Sequence, residues 1–235
     1  MSIVENIHAV QMGIADAVKR RDKNGHKGQA VKLVAVTKNQ TVTLIKEAIN
    51  AGVTAIGENR VQEASGKLGE IGRGPEWHLI GHLQTNKAKV AVSMFDLIHS
   101  VDSVHLAREL NKEAAKLGKR QQILIQVNIA EEETKFGIES DKVDEMVGQV
   151  LSLPNLELKG FMTIAPFFEK PEMARPVFRQ MYKIFKSYQD RNLPGSSIEW
   201  LSMGMTNDYQ IAIEEGSNLV RVGTAIFGPR IIEEA

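Results

Sequence analysis

Residues 31–63 read VKLVAVTKNQTVTLIKEAINAGVTAIGENRVQE. The first six are apolar apart from Lys32, the pattern of a strand buried on both faces. Such a strand delivers its next side chains, Thr37 and Lys38, to the rim of a sheet. An amphipathic stretch over 41–51 follows, then a second apolar run at 54–57, so the segment reads as a strand, a helix and a strand. A lysine at a strand end is most often only solvated. Lys38 needs a second signal before chemistry is assigned to it.

The same rhythm extends through the chain. Strands are expected at 31–37, 54–57, 77–81, 97–100, 122–128, 156–163, 198–202 and 218–222. Helices are expected at 41–51, 59–68, 86–93, 104–117, 141–152, 171–191 and 206–215. Alternation of this kind builds parallel strand–helix–strand units. Eight of them in 235 residues favour an α/β fold closed as a TIM-type (β/α)8 barrel. Only residues 223–235 follow the last strand, too few for a full closing helix. The opening segment carries Ile3, Ile7, Val10, Ile14 and Val18 at helical spacing, so this additional amino-terminal helix is expected to cover the gap. A polar break at 21–28 separates it from the barrel. No linker or low-complexity tract divides residues 1–235, which are read as one domain.

Composition narrows the function. The 29 basic residues balance 29 acidic ones, which argues against a nucleic-acid or anionic-membrane surface. There is no cysteine, so thiol chemistry and disulfides are excluded and a cytoplasmic setting is expected. The amino terminus is amphipathic, unlike a signal peptide, and no apolar run reaches the roughly 20 residues of a membrane span.

In a barrel of this type the chemistry gathers where the strands end. The polar residues expected there are Thr37 and Lys38, Glu58 and Asn59, His82, His99 and Asp102, Asn128, Thr163, Ser202 and Gly204, and Arg221, Gly223 and Thr224. Ser202–Asp208 (SMGMTND) and Arg221–Ala225 (RVGTA) supply small residues and hydroxyls that let backbone N–H groups approach an anion, with Thr206 placed to cap a helix. Loops after strands seven and eight frequently hold phosphate. In a closed barrel they adjoin the loop after strand one. A strand-one lysine beside a phosphate cradle points to a phosphorylated carbonyl compound held as an imine. His78 and His82 have the spacing of a metal pair, but matching ligands are not evident and no metal site is expected. His99 and Asp102 are a possible acid–base pair, a rim hydrogen bond being the commoner outcome. Glu131–Glu133 reads as a solvated loop, and Met203 and Met205 as packing around a turn.

The segments LVAVTK, AGVTAIGENRVQEA, WHLIGHLQTNK, SVDS, KFGI, GFMTI, LSMGMTND and VRVGTAIFG occur in this order between about residues 31 and 228. Together they resemble the pyridoxal-phosphate homeostasis protein family, whose members are similar to the amino-terminal barrel of alanine racemase. The resemblance implies a fold-type III barrel binding pyridoxal 5'-phosphate (PLP) as a Schiff base on Lys38. It implies phosphate contacts from Ser202, Gly223 and Thr224, Arg221 beside the pyridine nitrogen, and Asn59 in the cofactor pocket. His82, in the GHLQTNK motif, is expected to line the pocket. The run Thr37–Gln40 (TKNQ) departs from the more usual SKTK, and Thr206 stands where serine is common. Each retains the lysine or the hydroxyl.

An arginine does not protonate the pyridine ring, so the ring is a poorer electron sink than one paired with aspartate. Alanine racemase draws a second base, a tyrosine, from a further carboxyl-terminal domain. Tyr182, Tyr188 and Tyr209 all fall in expected helices, and none replaces it. The expected function is therefore PLP homeostasis, storage or delivery of the cofactor without substantial turnover, with PLP-dependent apoenzymes as recipients. The alternative is a PLP-dependent amino-acid racemase.

Overall fold

The computed structural model of the chain describes residues 2–23, 30–132 and 135–229. Most of the polar break (24–28) and Glu133 of the acidic loop lie outside the described residues. The strands are β1 (Lys32–Val36), β2 (Ala55–Glu58), β3 (Glu76–Leu79), β4 (Leu97–Val101), β5 (Gln121–Gln126), β6 (Leu156–Met162), β7 (Ser196–Ser202) and β8 (Leu219–Val222). They close in sequence order into a parallel barrel, with β8 paired to β1. This is the TIM-type fold read from the alternating pattern.

The helices are α1 (Ile3–Lys23), α2 (Val42–Asn50), α3 (Val61–Ile71), α4 (Ala88–Met94), α5 (Val104–Lys116), α6 (Val143–Leu151), α7 (Arg175–Arg191), α8 (Tyr209–Glu214) and α9 (Thr224–Phe227). Thr41 starts α2 sharply: its hydroxyl accepts from the Leu44 N–H, satisfying a donor the first helical turn leaves open. The last described helix, α9, is short. Helix α1 lies across α8 and α9 and reaches α2. Its stripe of Ile3, Ile7, Val10 and Ala17 is buried, and Asn6 donates to the Ile226 carbonyl at 2.9 Å. The amino-terminal helix thus covers the surface an eighth full helix would occupy.

The principal core lies between barrel and helices, where Trp77, Phe95, Phe161 and Phe178 are fully buried. Each such side chain contributes about 1.5–3 kcal/mol relative to exposure. A smaller, separate cluster fills the barrel interior: Val34, Ala55, Leu97, Leu124, Met162 and Leu219. Strand parity places polar side chains in the same interior, namely Lys32 on β1, Glu76 and His78 on β3, His99 on β4, Ser202 on β7 and Arg221 on β8. No described helix is long and apolar enough to cross a membrane.

Several boundaries differ from the sequence reading. Glu58 is the last residue of β2, fully buried, where the periodicity placed it in the loop. The expected helix at 171–191 is split, a 3-10 turn at Pro171–Ala174 preceding α7. The helix expected at 206–215 is trimmed to α8, because Met205–Asp208 is taken up by a turn in which the Met205 N–H donates to Asp208 Oδ1 at 2.7 Å.

Candidate functional site

Lys38 emerges two residues past β1, half-buried at the carboxyl-terminal rim. Its backbone is fixed on both sides by one lysine and two glutamates. Lys67, on α3, donates to the Thr37 carbonyl at 2.7 Å, to Glu58 Oε1 at 2.8 Å and to Glu63 Oε1 at 2.7 Å. Glu58 Oε1 also accepts from the Thr37 hydroxyl at 2.6 Å, and Glu63 Oε1 from the Asn39 N–H at 2.5 Å. Asn39 takes the left-handed conformation, φ 59°, which asparagine tolerates better than most residues. Residues 37 and 39 are therefore held, and the lysine between them has a defined starting point. Burial pushes the Glu58 carboxyl up, against the opposing pull of Lys67 and Thr37. Its second oxygen has no hydrogen-bond partner.

Gly223 brings the other end of the site to Lys38. A Cβ built there would lie 3.2 Å from Val36 Cβ and 3.3 Å from its carbonyl oxygen. The turn after β8 thus runs against the exit of β1. The Gly223 N–H donates to the Thr206 hydroxyl at 3.3 Å, and Thr224 beside it is exposed. Two loops consequently present a backbone N–H and two hydroxyl residues within reach of the first strand.

Arg221 lies below this turn, wholly buried. Its Nη1 donates to Ser202 Oγ at 2.5 Å and its Nη2 to the Thr163 carbonyl at 3.0 Å. Two bonds from a rigid fork fix the plane of the guanidinium. Burial lowers its pKa to about 10, opposed by the Asp208 carboxylate, so it remains a cation at neutral pH.

Ser202, expected at the phosphate, ends β7 with its side chain turned into the barrel. Its hydroxyl is buried in the barrel, accepting from Arg221 and bonded to His99 Nδ1 at 2.9 Å. The hydroxyl that meets the turn after β8 is that of Thr206, four residues on. The reason is strand parity: Ser202 ends β7 facing inward, and the chain must pass the Gly204 turn before a hydroxyl meets the β8 exit. Thr206 had been read as a helix cap, and α8 begins only at Tyr209.

Asn59 sits at the rim with Gly81 packed on it: a Cβ at Gly81 would lie 2.4 Å from the Asn59 carbonyl oxygen. Asn59 and His82 line one recess of about 530 Å³. His82 Nδ1 is 3.2 Å from Asp102 Oδ2, and its ring stacks on Phe136 at a centroid distance of 3.7 Å. Asp102, weighed as a partner of His99 with a rim hydrogen bond as the commoner outcome, makes its rim contact with His82 instead. His99 faces the barrel interior, with its Nε2 2.9 Å from His78 Nδ1. His78 and His82 are likewise divided, one inside the barrel and one at the rim. Among the described residues no cluster of three metal-ligating side chains forms.

Residues 18–230 match the sequence pattern of the family described as alanine racemase, N-terminal domain, and the chain is a member of that class of barrel. Alanine racemase of Clostridium difficile shares the fold, with TM-score 0.70 and 16% identity over 93% of this chain and 58% of that one. A pyridoxal phosphate homeostasis protein of Aquifex aeolicus is 40% identical over 98% of this chain and 99% of its own. One from Escherichia coli K12 is 39% identical over 97% of each. PipY of Synechococcus elongatus, solved with PLP bound, has TM-score 0.82 and 34% identity over 97% of this chain and 100% of that one. The chain belongs to the pyridoxal phosphate homeostasis protein family.

Proposed function

We propose that this protein binds PLP through a Schiff base to Lys38 and holds it reversibly in the cytoplasm for storage or delivery to PLP-dependent apoenzymes. The observation that carries this reading is the contact of Gly223 with Val36, which joins a turn suited to phosphate to the strand exit that presents the lysine. When bound, PLP supplies an aldehyde that an amine can capture and release. The protein's residues do the rest. The Lys67–Glu58–Glu63 clamp holds the Lys38 backbone, while the Gly223 and Thr224 N–H groups with the Thr206 hydroxyl receive the phosphate. Arg221 offers N–H groups toward the ring from a fixed plane, and Asn59 borders the pocket. Ser202 acts through Arg221.

The fit is chemical as well as geometric. A dianionic phosphate needs donors without bulky side chains, and the close approach at Gly223 leaves the β8 turn little room for one. Support for a carrier comes from the tyrosines. Tyr188 donates to Asp144 at 2.5 Å and Tyr209 packs its hydroxyl on Gly13 of α1, both in the outer helical layer. Tyr182 lies in α7 against Gly216. None of the three is placed at the Lys38 rim as a second base.

The PLP-loaded protein is expected to restore activity to an apo form of a PLP enzyme without added cofactor. It is also expected to leave the optical rotation of single alanine enantiomers unchanged. Lys38-dependent racemisation would overturn the carrier reading in favour of an enzyme.

A further inference from the structure

The barrel interior contains a single file of polar groups running from its amino-terminal face to Arg221. Lys32 Nζ lies 2.8 Å from both oxygens of Glu76, at the starts of β1 and β3. Glu76 Oε2 is 3.1 Å from His78 Nε2, and His78 Nδ1 is 2.9 Å from His99 Nε2. His99 Nδ1 is 2.9 Å from Ser202 Oγ, which accepts from Arg221 Nη1 at 2.5 Å. His78, His99, Ser202 and Arg221 are all buried.

The two ends fix the direction of every bond between them. A guanidinium can only donate and an ionised carboxylate can only accept. Glu76 is ionised: its bond to His78 and the ammonium of Lys32 hold its pKa down at about 2. Between these ends stand one hydroxyl and two imidazoles. With both rings neutral, the serine and each histidine bring one polar hydrogen apiece, and Arg221 brings the fourth for four links. The only arrangement that fills all four runs from Arg221 to Ser202, His99, His78 and Glu76. It requires Nε2–H and a bare Nδ1 on both histidines.

A second proton on His78 would put two donors into its link with His99, and one on His99 would displace the Ser202 hydroxyl hydrogen from their link. Burial keeps both rings neutral by lowering their pKa values. At His99 any charge on His78 would add to that effect, as the positive charges of Arg221 and Lys32 do; at His78 Lys32 adds to it, while Glu76 and Asp96 oppose it.

The geometry points to Glu76 as a positioning residue for the cofactor site: from the opposite face of the barrel it selects the tautomers of His78 and His99 and turns the Ser202 hydroxyl toward His99, so that Ser202 accepts from Arg221. Without the carboxylate the file has no terminal acceptor. His78 can then carry its proton on Nδ1, His99 reverses in turn, and the Ser202 hydroxyl loses its acceptor. The link from this file to PLP rests on the reading of Arg221 given above. The tautomers themselves do not.

Histidine 15N NMR on the full chain without added cofactor tests the proposal. In the unaltered protein both buried rings are expected to show protonated Nε2 and unprotonated Nδ1. Glu76→Leu removes every acceptor at this position and is expected to lose the single-tautomer signal. Lys32→Met, which leaves the carboxylate in place, is expected to retain it. Nδ1–H on either ring of the unaltered protein overturns the proposal, and that result needs no variant to fold. Unchanged tautomers in Glu76→Leu overturn it as well. Failure of PLP to bind, with the tautomers as stated, contradicts the cofactor reading and leaves the file standing.

Discussion

Two buried polar assemblies meet at the rim, and they are built on opposite principles. Inside the barrel, the file from Glu76 to Arg221 is neutral through its middle and charged only at its ends, so that it has direction. Outside the barrel, between β2 and α3, Lys67 gathers Glu58, Glu63 and the Thr37 carbonyl into a compact ionic knot with one carboxylate oxygen left unpartnered. The file positions a side chain by orienting protons; the knot positions a backbone by charge. Arg221 terminates the first and Lys38 rises from the second. A site assembled this way fails differently according to which assembly is damaged.

The knot gives the larger energetic response. Lys67→Ala leaves Glu58 buried without its counter-ion, and breaking a buried pair from one side costs about 3–5 kcal/mol. Urea unfolding should show that loss, with Lys67→Arg less affected. A loss below about 1 kcal/mol would mean that the knot is not holding the fold.

The file answers to pH. Burial holds the folded pKa values of His78 and His99 below the ordinary 6.5. The unfolded chain takes up these protons as pH falls through that value and the folded chain does not. Stability present above about pH 6.5 is therefore lost as the pH falls, by up to about 1.4 kcal/mol per pH unit for each histidine. Glu58, Asp102 and Asp208, raised by burial, act in the opposite sense and reduce the slope. Urea midpoints between about pH 8 and about 5.5 check the sign, and a midpoint that rises on acidification contradicts it.

The turns after β7 and β8, proposed to receive the phosphate, give smaller effects. Thr206→Ala removes one hydroxyl from a charged ligand, worth about 1.5 kcal/mol or tenfold in PLP affinity. Ser202→Ala should instead leave phosphate contacts intact and alter the cofactor's visible band through Arg221. Inorganic phosphate competition read against PLP fluorescence separates the two. Equal loss of phosphate affinity in both variants would return Ser202 to the phosphate.

These contrasts also explain what was legible in the sequence. The barrel was readable because apolar runs and amphipathic stretches alternate without interruption. The positions of Lys38, Arg221, Gly223 and Thr224 about the ends of β1 and β8 were readable because strand ends are fixed once the strands are. The partners of Glu58 were not: Lys67 lies nine residues on, and their meeting depends on Glu58 ending β2 rather than starting the loop. The His78–His99 link depends on the register between β3 and β4, where His78 pairs with Leu97. One signal was available. Glu76 and His78 share the inward parity of β3, and His99 that of β4, so polar residues at interior positions of short buried strands mark such a file. Ser202 was placed correctly at the end of its strand, but its bonds to His99 and Arg221 were not legible, because they cross the barrel from β4 and β8.

The most direct measurement is borohydride trapping of the PLP-loaded protein, followed by peptide mass mapping. The account predicts loss of the visible band and a stable pyridoxyl adduct on Lys38, with no band formed by Lys38→Ala. A trapped adduct confined to another lysine, or a Lys38→Ala protein that forms the same band, would contradict it.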